Sequence, residues 1–406
     1  MPLINITVAV VEKLLNKLNP YKAPGPNNLQ PRILRELNCQ IAPVLCNTFK
    51  VSHRTGTVPD DWKLANVTPI HKKGSRQLPE NYRPVSLTCI CCKLMEDILV
   101  SRISKHLDRY GILNDSQYGF MRARSCETQL IAFIDDLSKE MQGEGQTDVI
   151  VMDFSKAFDK VPHNGLLYKL FKSGIDNITL QWLKRFLEKR RQSVVLEGEH
   201  SHSVPVTSGV PQGSVLGPLM FLIFVNDLPC YVKSRVRLFA DDTVIYLTIK
   251  SESDCRQLQD DLHSLEKWES DWCMECNPSK CNVIRVTRRR TPFKFQNKLH
   301  GKVLETADTT KYLRINLSHD LRWNDHVNAI TTKANKTLNF LRHNLLTCLA
   351  QSKEQAYKAL VRRIVEYSAT AWDPYILRTY NSSKLYDSTP SSSLGTRALR
   401  QIRQCH

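Results

Sequence analysis

The sequence predicts an α+β fold on three observations. Apolar residues recur three and four positions apart in long stretches, such as "VSLTCICCKLMEDILVSRISKHL" and almost all of Asn324 to Tyr367, the spacing of helices with one buried face. The β-branched and aromatic runs "TDVIVMD" and "RLFADDTVIYL" have the short, punctuated form of strands. Glycine- and proline-rich segments separate the two kinds. At 406 residues, 41% of them hydrophobic, the chain can bury enough surface for two or three lobes.

Taken in order, Thr7 to Leu18 has a helical pattern that "NPYKAPGPNNLQP" breaks before a second helix from Arg32 to Phe49. "DWKLANVTPIHKKG" reads as an extended strand ending in a basic turn, and the helix quoted first comes after it. Val149 to Met152 is a buried strand that ends in Asp153. "HNGLLYKLFKSG" and "NITLQWLKRFLEKRRQ" read as helices, and "SVVLEG" with "SVPV" as a hairpin leading into the loop "SGVPQGSVLGP" and the apolar helix "LMFLIFVNDL". "DCRQLQDDLHSLEKWESDWCMECN" is an amphipathic helix, "CNVIRVT" and "KYLRINL" are short strands, and the basic helical stretch from Asn324 makes a small lobe. Beyond Tyr375 the chain is Ser-rich and patternless, so it is expected to be disordered.

Lys and Arg number 57 against 40 Asp and Glu, a net charge of +17 spread along the whole chain. That distribution suits a long polyanion, most commonly nucleic acid, better than a membrane surface. No segment reaches the ~20 apolar residues of a membrane helix, and the first residues lack a basic segment and a cleavage site. The expected location is therefore the nucleus or cytoplasm, with no membrane partner. The 13 cysteines are spaced irregularly and read as reduced thiols. Cys273, Cys276 and Cys281 in "WCMECNPSKC" approach a zinc knuckle but lack a histidine at the remaining ligand spacing, so core or surface thiols are the reading.

The chemistry centres on carboxylates. Asp241 and Asp242 sit between two strands, where a hairpin would ordinarily use Asn-Gly or Asp-Gly, and two adjacent anions bring no structural gain. Asp153 taken alone would read as a helix N-cap. Together, carboxylates from separate elements of one sheet can converge on hard divalent cations, which prefer oxygen ligands. Three further motifs accompany them. The glycines of "SGVPQGSVLGP", Gly213 among them, let backbone approach a flat ligand closely. "LPENYRPVSL" offers Arg83 after the basic "HKKG" with Lys73, side chains able to grip a triphosphate. "NPSKC" offers Lys280 as a proton donor to a departing pyrophosphate.

The ordered set "NYRPVSL", "SQYGF", "VIVMDFSKAFDKVPH", "SGVPQGSVLGPLMFLIFVNDLP", "FADDTVIYL", "NPSKC" and "KYL" closely resembles the reverse transcriptases of non-LTR retrotransposons, particularly Jockey-like and CR1-like elements, from roughly Lys17 to Tyr375. The resemblance implies a right-hand polymerase with fingers, a palm bearing an antiparallel sheet, and a helical thumb. Residues 1–80 would be an N-terminal extension and the start of the fingers, 81–310 fingers and palm, 311–375 the thumb and 376–406 the disordered tail. It implies RNA-directed DNA polymerisation: dNTPs are added to the 3′-hydroxyl of a DNA primer on an RNA template. Asp153 and Asp241 would hold two Mg²⁺, with Mn²⁺ as a substitute, and Asp242 would support them. Phe158 would be the steric gate against a ribose 2′-hydroxyl, and Gln212 would lie beside the template base and incoming nucleotide.

The sequence also departs from the pattern. Met121 and Ala123 stand where relatives often carry a basic residue and a glycine, with Arg122 and Arg124 as compensating cations. Arg314 stands where a glycine is usual, which predicts either a strained turn or a side chain swung towards the primer. With no endonuclease segment before residue 1 and a tail unlike the family's, the expectation is a fragment or a decaying copy. Two other readings stay open: an inactive RNA-binding relative, and an intron-type splicing cofactor, which would carry a further domain after the thumb.

Overall fold

Two five-stranded sheets organise the described residues. The computed structural model describes Met1 and residues 4–72, 74–143 and 145–372. Over these the chain forms two units that interleave along the sequence. The first comprises Met1–Phe120, Phe154–Tyr231 and Leu265–Glu275, and the second Met121–Asp153, Val232–Ser264 and the chain from Cys276. The Ser-rich tail lies outside the described residues, as does Lys73. Among the described residues no helix is long and apolar enough to cross a membrane.

In the first unit Thr7 caps the Val8–Asn16 helix by accepting from the Val10 amide. The single helix expected from Arg32 is two, Pro31–Glu36 and Asn38–Thr55. The Asn38 side chain donates to the Arg35 carbonyl at 2.8 Å and competes with the helical ladder at the break. Leu64–His71 runs antiparallel to Tyr82–Thr88 and parallel to Arg190–Leu196, which in turn pairs with Glu199–His200 and Val204–Val206.

Two helix expectations are corrected here. Val85 to Thr88 belong to a strand, and the helix begins only at Ile90, because the ladder on Ala65–Thr68 claims their backbone groups. The Asn177–Leu187 helix stops short of Gln192, since Lys189 turns to φ 53° and Arg190 starts the next strand.

The Leu216–Val225 helix is buried along nearly its whole length. Against it lies Lys169, whose ammonium donates to the Phe224 carbonyl and to Asp227, each at 2.6 Å, and sits 3.6 Å from the Trp272 ring centroid. Burial lowers this lysine's pKa to about 8 against the pull of Asp227. Asp227→Ala would strand the ammonium. Because the Asp227 side chain keeps 35% of its exposure, we expect a loss of about 2 kcal/mol, less than for a fully buried pair, readable by chemical denaturation.

The second unit is built on a five-stranded sheet in the order Glu305–Thr306, Asn282–Thr287, Gln146–Met152, Asp242–Ile249, Arg235–Phe239. The central strand is antiparallel to both neighbours. One face packs Val149, Val244, Tyr246, Ile284 and Val286 under Leu130, Phe133, Ile134 and Leu137 of the Cys126–Gln142 helix. The hairpin of Thr309–Tyr312 and Ile315–Ser318 joins the same core through Tyr312, Ile315 and Leu317. A separate small core of Ala334, Leu341, Val361 and Val365 unites the basic helices from Asn324 onward. The amphipathic helix expected to run through Asn277 ends at Trp272, where Cys273 takes φ 51°.

Candidate active site

In the second unit, register brings the carboxylates together. Met152 pairs with Thr243, so one further step sets Asp153 level with Asp242. Val149 and Val151 pair with Tyr246 and Val244. By the two-residue period of a strand, Asp153 and Asp242 therefore lie on the same face as these residues, at the end of the apolar core. Phe239 pairs with Asp242, leaving Ala240 and Asp241 as a two-residue connection with Ala240 at φ 57°. A non-glycine residue there is uncommon and costs of order 1 kcal/mol, a strain the paired strands sustain.

Lys280 reaches the Asp153 carboxylate at 3.5 Å, both side chains being about half exposed. Asn277 presents it: its amide donates to the Asp153 carbonyl, its side chain accepts from the Ser279 amide, and its carbonyl accepts from the Lys280 amide. The asparagine-turn of "NPSKC" thus ties the lysine to the strand end.

Partial burial, then the charges of Asp241 and Asp153, push the Asp242 carboxyl up to about 6, while Arg314 pulls it down. Asp242 still reaches solvent. Among the described residues no three His, Cys, Asp or Glu side chains are already gathered as a metal cluster. An oxygen-only donor set suits a hard divalent cation. At the cysteine trio, Cys276 and Cys281 are buried and Cys273 is exposed.

The hairpin near these carboxylates carries Leu313 and Arg314 at φ 43° and 69°, both central residues of its turn. The backbone of Arg314 is left-handed, as the strained-turn expectation has it, and its guanidinium lies 5.9 Å from the Tyr367 ring centroid. Tyr367 also donates to the Leu313 carbonyl at 3.1 Å. Arg314→Gly would relieve about 1 kcal/mol of backbone strain and lose about 0.5 kcal/mol of cation–π attraction. The greater freedom of glycine in the unfolded chain offsets the remaining gain, so a change within about 0.5 kcal/mol is expected in denaturant titration.

In the first unit the glycine loop is fastened to its surroundings. The Val210 amide donates to Phe158 and the Gly209 amide to Val161, each at 2.8 Å, and the Ser86 amide donates to the Gln212 carbonyl at 2.7 Å. A Cβ on Gly213, at φ 114°, would lie 2.5 Å from the Ser86 carbonyl oxygen. Gly213 thus serves a close approach to the Tyr82–Thr88 strand. Phe158 stacks on Phe221 with centroids 4.4 Å apart and planes at 18°. The fully buried Glu96 accepts from the Val215 and Leu216 amides at 2.7 and 3.0 Å and so caps the Leu216–Val225 helix. Arg83 is exposed on its strand, opposite Ile70. Arg124, in the second unit, ends a turn in which Ala123 takes φ 59°, a conformation suited to glycine.

The family model "Reverse transcriptase (RNA-dependent DNA polymerase)" matches residues 70–317. The chain belongs to the reverse transcriptase family. It is 30% identical to the RNA-directed DNA polymerase from mobile element jockey of Drosophila melanogaster over 81% of this chain and 37% of that protein. It is 29% identical to a probable RNA-directed DNA polymerase from transposon BS of the same fly, over 100% of this chain and 45% of the relative. The chain spans less than half the length of these relatives. The matches support a jockey-like reverse transcriptase of the non-LTR kind with a mixed helix-and-sheet polymerase fold. Reverse transcriptases generally use divalent metal ions.

Sequence reasoning passed over two residues that organise the reverse transcriptase loop, Glu96 and Asp159. Glu96 carried a signal, a carboxylate among the apolar residues of "CCKLMEDIL". Asp159 adjoins Phe158 in "KAFDKV" and accepts from the Gln212 side-chain amide at 2.8 Å.

Proposed function

We propose that this chain is the RNA-directed DNA polymerase portion of a jockey-like element, adding dNTPs to a DNA primer on an RNA template. The observation that carries the reading is the acidic sheet end: Asp153 level with Asp242, Asp241 in the adjoining turn, and Lys280 at 3.5 Å from Asp153. The second unit's sheet would serve as the palm, the first unit's as the fingers, and the helices from Asn324 as the thumb.

Asp153 and Asp241 would hold two divalent ions, Mg²⁺ or in its place Mn²⁺, with Asp242 as an additional oxygen donor. When bound, such ions lower the pKa of the primer hydroxyl and neutralise charge on the phosphates. Lys280, kept at the site by Asp153, would protonate the departing pyrophosphate. Arg83, Lys73 and Arg124 would bind the triphosphate as charge-assisted donors. Phe158 would exclude a ribose 2′-hydroxyl, and Gln212 with Gly213 would line the nucleotide. The net charge of +17 would hold template and primer through their phosphates.

The test is extension of a DNA primer on an RNA template by the purified chain with dNTPs and Mg²⁺. Template-directed extension is expected. Salt-sensitive RNA binding without extension would favour an idle RNA-binding relative instead.

A further inference from the structure

Gln212 is the one polar side chain of the glycine loop whose orientation is fixed by a charged neighbour. Its amide nitrogen donates to Asp159 Oδ1 at 2.8 Å. An ionised carboxylate offers only acceptors, whereas a glutamine amide has a donating and an accepting end. The nitrogen must therefore face Asp159, and the oxygen is left as the end available to another group.

The rest of the geometry makes Asp159 a fixed point. Its carbonyl accepts from the Ser208 hydroxyl at 2.9 Å, and its amide donates to the Lys156 carbonyl at 2.9 Å. A Cβ on Gly209, at φ 83°, would lie 2.6 Å from the Asp159 carbonyl oxygen, so loop and Asp159 backbone are in direct apposition. Phe158, the preceding residue, accepts from Val210 and is stacked on the fully buried Phe221. At the loop's other end, Ser86 and Glu96 hold the backbone of Gln212 and of the helix start. With the backbone held on both sides, the orientation of the Gln212 amide is the remaining freedom, and Asp159 removes it.

We propose that Asp159 is a positioning residue for nucleotide selection: it sets the Gln212 amide so that its oxygen accepts from a donor on the incoming nucleotide, and it ties that contact rigidly to Phe158. The proposal rests on the reading of Gln212 as a nucleotide contact. An asparagine at 159 is nearly the same size but presents either an acceptor or a donor, so it would let the Gln212 amide turn over.

The experiment measures dNTP affinity in a ternary complex with an RNA template and a primer ending in a dideoxynucleotide, so that no bond forms and turnover is not needed. Asp159→Asn should weaken dNTP binding about tenfold, the scale of one hydrogen bond, with melting temperature and primer–template affinity unchanged. Gln212→Glu should weaken it further, because two carboxylates would then face each other. The double variant Asp159→Asn, Gln212→Glu restores an amide–carboxylate pair with polarity reversed and leaves an acceptor outward, so it should recover most of the affinity.

A dNTP affinity untouched by Asp159→Asn, or a double variant no better than Gln212→Glu alone, would overturn the role of Asp159 and leave the polymerase reading standing. A weakening matched by an equal loss of melting temperature would also overturn it, by making Asp159 purely structural. No dNTP-dependent complex even in the wild type would overturn both readings at once.

Discussion

Asp241→Ala is expected to abolish primer extension, and Asp153→Ala to do the same, with rate losses of roughly 10³-fold or more. That exceeds the ~10²–10³ typical of removing one electrostatic contact, because each change also removes an oxygen donor for a cation. Template affinity should stay within about twofold, since Lys and Arg rather than these carboxylates hold the phosphates. Asp242→Asn should be milder for extension, because its carbonyl oxygen remains a donor.

Asp242→Asn should also stabilise the metal-free protein at neutral pH. The folded-state pKa of about 6 lies above the ordinary 3.8, so the folded protein disfavours the anion. That penalty is fully present above pH 6 and fades as pH falls through 6 towards 3.8. The melting-temperature advantage of the asparagine variant should fade over the same window. Extension that survives in either alanine variant would remove Asp153 and Asp241 from the metal-binding role.

What the sequence revealed of this site depended on which residues carry their own local signal. Asp153 and Asp241 stand at the ends of β-branched runs, so their neighbours announced the strands, while the antiparallel pairing of Gln146–Met152 with Asp242–Ile249 is a tertiary fact that their two-sided burial does not dictate. Register did the rest and could not be read in advance, because period-two patterns do not say which residue meets which. The pairing of Tyr82–Thr88 with Leu64–His71 was missed for a related reason: Val85 to Thr88 adjoin a long apolar helix, and short apolar runs do not by themselves separate strand from helix.

Arg314 was legible as an anomaly but not as a contact. Its positive φ follows from the turn, whereas its place over Tyr367 depends on a residue more than fifty positions away. Asp159 acts through a tertiary contact on Gln212, so composition and spacing had nothing to show for it, whereas Glu96 showed only as a carboxylate in an apolar run and its partner, the start of the Leu216–Val225 helix, came from the fold.

Phe158→Val is expected to lower the preference for dNTPs over rNTPs by about 10–100-fold, the range that a few carbon atoms in a pocket decide. The wall that Phe158 would form against a 2′-hydroxyl is rigid. Its ring lies nearly parallel to Phe221, 4.4 Å away, and Phe221 is fully buried, so the pair cannot retreat without opening the core. Its backbone is held as well, by the Val210 amide at 2.8 Å, and valine would keep that bond while losing the ring. The cost to stability should be about 1–2 kcal/mol, from lost stacking and lost apolar contact by a ring that is only half buried. Phe158→Tyr serves as the control, since it keeps the ring face on Phe221 and should keep the discrimination. The measurement is the ratio of kcat/KM for a dNTP and its matching rNTP in all three proteins. A ratio unchanged in the valine variant, alongside the fall in stability, would make Phe158 a packing residue of the Leu216–Val225 helix and move sugar selection elsewhere in the loop.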